Sequence, residues 1–316
     1  MIFVSLAYVL LPTLVGLQVD EHDFQSGMPV VVRKALAEQP HWRFSGTRVV
    51  SFKAKTELVE YTEYVTRDGA SLRIEYPGGS RYSGQIIVET DGKRRHFDPK
   101  RNEIRIGPAH QESLFEHIRG PWRGDHGIRV IDEPGTRIAG YSTRLARVLD
   151  RQGNVLQELN IEPHNGVVLA RRTYDRVGTL RGSFEFREIK FNPTIESSLF
   201  TIRRNGATIV TPETELKRVA EKSGFLPLSL PASTGFELDS VRKREISGND
   251  VLMCQYMSSK GRIFLFQLKV GVDPNTLNRQ LPNHIYAVTQ MIQGRWFVIL
   301  GPLAESNLRE ALSELR

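Results

Sequence analysis

The residues whose types could support catalysis lie in two short stretches of the chain. His110 and His117 stand near Glu112 and Glu116, but their order is not the His-Glu-x-x-His pattern that places two zinc-binding histidines on one helix face. The pair Asp125-His126 could supply a base, yet the chain has no Gly-x-Ser-x-Gly nucleophile for it to serve. The sequence therefore predicts a protein that is not an enzyme, with no cofactor and no metal site.

The single cysteine excludes further classes of site. Cys254 cannot form an internal disulfide or a cluster of thiolate ligands, because no second thiol is present. It lies in the apolar run Leu252 to Tyr256, a pattern that favours a buried strand residue over a nucleophile.

The chain is basic, with a formal net charge of +7 over 316 residues. Such a charge attracts anionic partners such as phospholipid, lipopolysaccharide, nucleic acid or an acidic protein segment, and it also serves general solubility. The densest basic cluster, which we predict as a patch for an anionic partner or alternatively as a solvated hairpin, comprises Lys93, Arg94, Arg95, Lys100 and Arg101. No nucleic-acid-binding motif accompanies this charge, so no nucleic-acid partner is expected.

The first 19 residues read as an export signal. Ile2 to Val19 is apolar apart from three polar residues, and it is short for a membrane span. No lysine or arginine precedes Arg33, so the segment could instead remain as an anchor. Either outcome predicts a periplasmic or otherwise extracytoplasmic protein that is peripheral to the membrane.

The next part of the chain has the pattern of an antiparallel sheet. Met28 to Gln39 can form a short helix, and Leu72 to Tyr76 alternates strictly between apolar and charged residues. From Arg137 to Phe200 short turns separate strands that are each half polar, which predicts a sheet with one wet face. The apolar parity shifts between Phe186 and Ile189, which predicts a bulge and a curved sheet.

This sheet could hold an apolar ligand on its concave face. The stretch Gln111 to Ile118 breaks the strand pattern and is predicted to be a lid helix. The residues predicted to line a hydrophobic cavity are Leu72, Ile74, Tyr76, Val88, Phe184 and Phe186 on the sheet, with Leu114, Phe115 and Ile118 on the lid. The alternative is that these side chains form an ordinary closed core.

The remaining chain predicts a second, smaller unit. Thr211 and Pro212 can begin a helix, and later strands precede a final helix with an apolar face. We therefore expect an α+β protein: a large curved antiparallel sheet covered by helices, followed by a small α+β domain. The predicted divisions are a leader at 1–19, an N-terminal domain at 20–205, a connector at 206–226 and a C-terminal domain at 227–316.

Two sets of motifs resemble known families. The run Leu169 to Asp175, with Gly178, Phe184 to Phe186 and Phe191 to Pro193 after it, resembles the closing strands of the LolA-like lipoprotein-binding fold. In the second unit, Gly235 to Leu238, Gln255 to Gly261 and the strand Ile263 to Phe266 are similar to the C-terminal domain of the MucB/RseB family. That family's usual aspartate is replaced by Ser259-Lys260 in the turn after Tyr256.

The resemblance to MucB/RseB implies a function. It implies a non-catalytic extracytoplasmic regulator that binds the periplasmic region of an anti-sigma factor and senses the acyl chains of lipid, lipopolysaccharide or lipoprotein in a hydrophobic cavity. Such a regulator acts in the envelope stress response. The alternatives are a LolA-like carrier of lipid or lipoprotein without a signalling partner, and a structural module of the envelope.

Overall fold

The structure, a computed structural model, describes residues 28–54, 57–109, 128–175, 177–223, 226–246, 248–258, 261–269, 272–274 and 285–316. The predicted leader, the lid with Leu114, Phe115 and Ile118, the candidate histidines and the Ser259-Lys260 turn lie outside these ranges. The described chain forms two compact units, one of residues 28–104 and 109–207 and one of residues 105–108 and 208–316. Within the described ranges, none of the helices is both long and apolar enough to cross a membrane.

In the part of the chain that the structure describes, the first unit is a large open antiparallel sheet with one α-helix, α1 (Val30–Glu38). Its strands are β1 (Arg43–Ala54), β2 (Glu57–Asp68), β3 (Ser71–Glu75), β4 (Ile86–Thr90), β5 (Lys93–Asp98), β6 (Glu103–Pro108), β7 (Arg129–Ile138), β8 (Tyr141–Leu149), β9 (Val155–Ile161), β10 (Val168–Tyr174) and β11 (Leu180–Phe191). The order across the sheet is β6-β5-β4-β3-β2-β1-β11-β10-β9-β8-β7, and the short β12 (Thr208–Val210) follows β6 at one end. The predicted α+β class with a large antiparallel sheet is confirmed.

The sheet bends where the apolar parity of β11 shifts. Thr47 pairs with Glu188 and the next residue, Arg48, pairs with Phe186, so Arg187 is the extra residue of a bulge. This confirms the bulge predicted between Phe186 and Ile189. The rings of Tyr141 on β8 and Phe191 on β11 lie 4.9 Å apart, whereas a flat sheet would hold these strands about 14 Å apart. The sheet is therefore strongly curved at this end.

Helix α1 covers part of one face of this sheet, which we call the inner face. Its Val31, Val32 and Ala35 are buried in the core with the sheet. Gly166, in the turn between β9 and β10, has φ 66° and lies against α1, where a Cβ atom would come within 3.0 Å of the Cα of Ala35. A nine-residue helix is marginal alone, so this packing is what stabilises it.

The opposite, outer face carries a second and smaller buried group. Ile86, Val88 and Phe97 are buried there, beside a short 3-10 helix at Ser197–Phe200. The Leu199 carbonyl of that helix accepts a 2.8 Å hydrogen bond from Arg73 Nη1. The central strands thus bury apolar side chains on both of their faces.

The second unit is a five-stranded antiparallel sheet in the order β13-β14-β15-β17-β16, with two helices on one face. Its elements are α2 (Pro212–Ser223), β13 (Glu237–Ile246), β14 (Asn249–Ser258), β15 (Gly261–Leu268), β16 (Tyr286–Ile292), β17 (Arg295–Gly301) and α3 (Glu305–Ser313). The predicted N-cap is present, because Thr214 N donates to Thr211 Oγ1 at 3.3 Å. Leu216 and Ala220 of α2 lie in the core of this unit, so the helix that the sequence assigned to a connector is part of the second unit.

A buried glutamine attaches the segment before β13 to the sheet. Gln267 accepts from Leu228 N at 3.0 Å and donates to Leu228 O at 2.7 Å. The next residue, Ser229, exchanges two backbone hydrogen bonds with Arg316. Gln267 therefore supplies hydrogen-bond partners for the backbone N–H and C=O of Leu228, which lies outside the strands of the sheet. Because these bonds also satisfy the side-chain amide of Gln267, the amide can be fully buried in a β core.

Cys254 is buried in β14, as the sequence predicts. Burial raises the pKa of its thiol to about 12, so the thiol stays protonated at pH 8, far below that pKa. We expect no reaction with a thiol-specific disulfide reagent at pH 8 in the folded protein, and one reactive thiol per chain in guanidinium chloride. Rapid labelling of the folded protein would contradict this burial.

Candidate functional site

Four of the residues predicted to line a cavity are packed inside the first unit instead. Leu72, Ile74, Phe184 and Phe186 all belong to the core on the inner face, together with α1. Each exposes 9% or less of its surface. They therefore lie in the apolar interior of the first unit.

Val88 was predicted on the same face as Leu72 and Ile74, and this is wrong. In the β3–β4 pair Ile74 is opposite Ile87, whereas Val88 is opposite Arg73. Directly opposed residues share a face of a sheet, and successive residues alternate. Val88 therefore lies on the outer face, fully buried.

The predicted basic patch is also divided. On β5, Lys93 and Arg95 lie opposite Thr90 and Val88, so they share the outer face, whereas Arg94 lies on the inner face, 3.4 Å from Glu89. Lys100 and Arg101 are exposed in the turn that follows β5. The five basic residues thus do not form one surface, and a single anionic partner could not contact all of them on one face.

A cluster of four aromatic rings occupies one end of the inner face, and Tyr76 is the one member that sequence analysis had predicted to line a cavity. We call Phe52, Tyr61, Tyr76 and Tyr82 the aromatic cluster. The Tyr61 ring centroid lies 4.9 Å from that of Tyr82, 5.7 Å from that of Tyr76 and 6.0 Å from that of Phe52. The Tyr76 and Tyr82 centroids are 5.5 Å apart. All four residues are half-buried, so part of each remains accessible.

The strands and one turn bring these rings together. Tyr61 lies on the inner face of β2 because it is four residues from the core residue Val65, and Tyr76 follows Ile74 by two residues. Tyr82 comes from the turn between β3 and β4, which closes where Gly84 N donates to Tyr76 O at 2.9 Å and Tyr76 N to Gln85 O at 3.1 Å. The turn therefore folds back at the ends of β3 and β4, beside Tyr76.

An exposed arginine lies at the rim of the aromatic cluster. The Arg81 guanidinium is 4.7 Å from the centroid of the Tyr82 ring and 5.6 Å from that of Phe52. Its Nη2 also donates to the Tyr82 hydroxyl. A cation held on aromatic faces in this way keeps its outer side available to an anion.

Beneath the cluster the inner face contains a buried ion pair. Arg48 Nε donates to Glu63 Oε2 at 2.7 Å, and the two side chains are only 8% and 5% exposed. The guanidinium groups of Arg48 and Arg171 lie 4.8 Å and 5.7 Å from the centroid of Phe184. The floor of the site is thus polar, although the walls are aromatic.

Burial raises the pKa of the Tyr61 and Tyr76 phenols well above the ordinary value, and the negative charge of Glu63 raises both further. Tyr76 also donates a hydrogen bond to Glu63, which favours the neutral phenol. Both phenols are therefore neutral at physiological pH. The cluster offers apolar surface and hydrogen-bond donors rather than an ionised nucleophile, which suits binding.

Other candidate sites are weaker. Among the described residues no group of three or more His, Cys, Asp or Glu side chains could hold a metal ion. A pocket of about 310 Å³ lies on the outer face, lined by Ser45, Thr66, Pro193, Thr194, Ile195, Glu196, Ser198 and Leu199. Five of these eight residues carry polar side chains, so the pocket does not suit an acyl chain.

Comparison with known proteins finds similarity only among solved structures. No protein-family model and no curated protein matches the chain. The structure of MucB is 14% identical, with 94% of this chain and 98% of MucB covered and a TM-score of 0.43. The Pseudomonas aeruginosa MucA/MucB complex is 15% identical, with 93% of this chain and 98% of that chain covered and a TM-score of 0.43. A LolA superfamily protein from Nitrosomonas europaea is 12% identical, with 54% of this chain and 96% of that protein covered and a TM-score of 0.29. At this level of similarity the neighbours do not assign a function. A functional proposal for this chain therefore has to rest on the contacts between its own residues.

Proposed function

We propose that the first unit binds an acyl chain of a lipid, lipopolysaccharide or lipoprotein at the aromatic cluster. The observation that carries this proposal is the group of four half-buried rings beside a core that is otherwise closed. This site lies at one end of the face on which the predicted cavity residues Leu72 and Ile74 also lie.

The energetics favour an apolar ligand at this place. A chain that covers about 100 Å² of ring surface would contribute about 2.5 kcal/mol from removing that surface from water. The phenols of Tyr61 and Tyr76 do not oppose such contact, because a tyrosine is uncharged at neutral pH and burial raises the pKa of both phenols further. An anionic headgroup at exposed Arg81 would add about 1 kcal/mol or less. Apolar fit therefore sets the affinity, and Arg81 sets the approach rate and its salt dependence.

The proposal has a regulatory part, which is supported by the second unit. The motifs at Gly235 to Leu238 and Gln255 to Ser258 resemble those of the MucB/RseB family, and the resemblance implies binding to the periplasmic region of an anti-sigma factor. On this proposal the protein is exported, binds that region, and releases it when an acyl chain occupies the aromatic cluster. A LolA-like carrier would use the same cluster without a signalling partner.

Lipid binding can be tested with the full chain. After expression in a bacterial envelope, solvent extraction and mass spectrometry should detect acyl chains, and a fluorescent 16-carbon fatty acid should bind the delipidated protein. Tyr82→Ala and Tyr61→Ala should each weaken this binding roughly threefold, the loss of about 0.6 kcal/mol that is one ring's share of the apolar contact.

Tyr64→Ala is the matched control, because Tyr64 lies on the same strand as Tyr61 but on the outer face, 50% exposed. It should leave binding unchanged. Absence of acyl chains together with no binding of the fatty acid would remove the proposed site. Lipid binding without capture of the periplasmic segment of an anti-sigma factor from the same organism would favour the carrier.

A further inference from the structure

Strand β16 forms an open edge of the five-stranded sheet. Among the described residues only β17 pairs with it. Its sequence, Tyr286 to Ile292, contains no charged residue, no proline and no glycine. Tyr286 and Met291 expose 50% and 54% of their surface. An edge of this kind is a template for pairing with another strand.

The other sheet edges in the described chain carry features that discourage pairing. β13 contains Arg242, Lys243 and Arg244 and has a register shift near its start. β7 contains Pro134, several charges and a register shift. β12 has only three residues. Among these edges β16 is the exception, because it has no charge, no proline and no register shift that would discourage pairing with another strand.

The hairpin geometry determines which backbone groups of β16 point outward. Gln293 and Gly294 form a two-residue turn with φ values of 51° and 75°, which is typical of a type I′ hairpin. The flanking pair Ile292 and Arg295 is then a hydrogen-bonded pair, and such pairs alternate along the ladder. The N–H and C=O groups of Ala287, Thr289 and Met291 therefore point away from β17.

We propose that β16 pairs with β16 of a second copy of this chain, antiparallel, about a two-fold axis at Thr289. In this register Thr289 faces the partner's Thr289, and Ala287 faces the partner's Met291. Every outward N–H and C=O of the three residues then finds a partner, which gives about six hydrogen bonds. The two sheets join into one continuous sheet of ten strands.

A second copy suits this edge better than an unrelated charged peptide. In the antiparallel register about Thr289, the outward N–H and C=O groups of each copy meet C=O and N–H groups of the other, so the strand is complementary to itself, as a two-fold interface requires. No like charges meet, because β16 has no charge. A charged peptide would gain no ion pair from β16 that could select it. The proposal is independent of the lipid site, which lies in the other unit.

Cysteine trapping tests the register. In Thr289→Cys the two Cα atoms would lie about 5.5 Å apart across the axis, within reach of a disulfide. In the control Met291→Cys the two thiols would be displaced by four residues, about 14 Å, and could not join. After mild oxidation and blocking of free thiols, Thr289→Cys should yield at least tenfold more covalent dimer than Met291→Cys. Equal yields, or no dimer from Thr289→Cys, would overturn the register.

Sedimentation of the full chain tests the association itself. The wild type should show a concentration-dependent dimer, and Thr289→Pro should be monomeric, because proline removes the central outward N–H without disturbing the ladder to β17. Its thermal unfolding midpoint should stay close to that of the wild type. A wild type that remains monomeric up to the highest soluble concentration would refute self-pairing, and so would a dimer that Thr289→Pro leaves intact.

Discussion

Replacing Glu63 with alanine should lower the free energy of unfolding by about 3–5 kcal/mol, because it leaves the buried Arg48 guanidinium without its carboxylate. Arg48 is 7% exposed and its Nε lies 2.7 Å from Glu63 Oε2. The cation also stacks on Phe184, so it cannot reach water without breaking that contact. The Tyr76 phenol would lose an acceptor in the same variant.

Removing both charges should be far less costly than removing one. Arg48→Met combined with Glu63→Leu eliminates the desolvation of two ions, and such replacements are often neutral or stabilising. The double variant should therefore unfold within about 1–2 kcal/mol of the wild type in guanidinium chloride, and the two single changes should be strongly non-additive.

Arg43 and Asp68 provide the matched control on the same pair of strands. They face each other across β1 and β2 at 3.0 Å, but their side chains are 43% and 38% exposed. Asp68→Ala should cost about 1 kcal/mol or less, since water replaces the partner. If Glu63→Ala cost no more than Asp68→Ala, the pair beneath the aromatic cluster would not be buried in solution.

Periodicity was enough to predict half-buried strands such as β3, because such strands show an alternating pattern directly in the sequence. It could not place Val88. Ile86 to Glu89 is buried on both faces, so the run has no visible parity. The face of each residue then depends on the register with β3, which the ten-residue turn between the strands sets. In contrast, the division of Lys93, Arg94 and Arg95 between two faces follows from the alternation of β5 and could have been predicted.

The aromatic cluster and its polar floor depend on contacts that no local pattern records. Tyr82 reaches Tyr61 only because its turn folds back to hydrogen-bond with Tyr76. Arg48 and Glu63 are fifteen residues apart, and a charged residue in an alternating strand is normally interpreted as facing water. Their pairing across β1 and β2 reverses that interpretation, since each neutralises the other on the inner face.

Replacing Phe186 with alanine is the second change expected to have a large effect, about 3–5 kcal/mol of unfolding free energy. Phe186 is 2% exposed and lies at the bulge, where the alternation of inner-face and outer-face residues along β11 shifts by one. Its ring meets Phe44 edge-on at 5.6 Å and Phe184 at 6.1 Å. Alanine would leave a cavity bounded by two strands whose register is held by the bulge, so the surrounding residues cannot easily collapse into it.

Phe186→Leu separates the loss of volume from the loss of the aromatic contacts. Leucine keeps most of the buried surface, so it should cost about 1–2 kcal/mol, of which the two edge-on ring contacts account for a large part. Guanidinium denaturation of the wild type, both variants and the exposed-site control Tyr64→Ala would test this order, with Tyr64→Ala losing about 0.5 kcal/mol or less. A Phe186→Ala variant as stable as Phe186→Leu would mean that the core under α1 can refill the space, and that the bulge does not fix the inner face of β11.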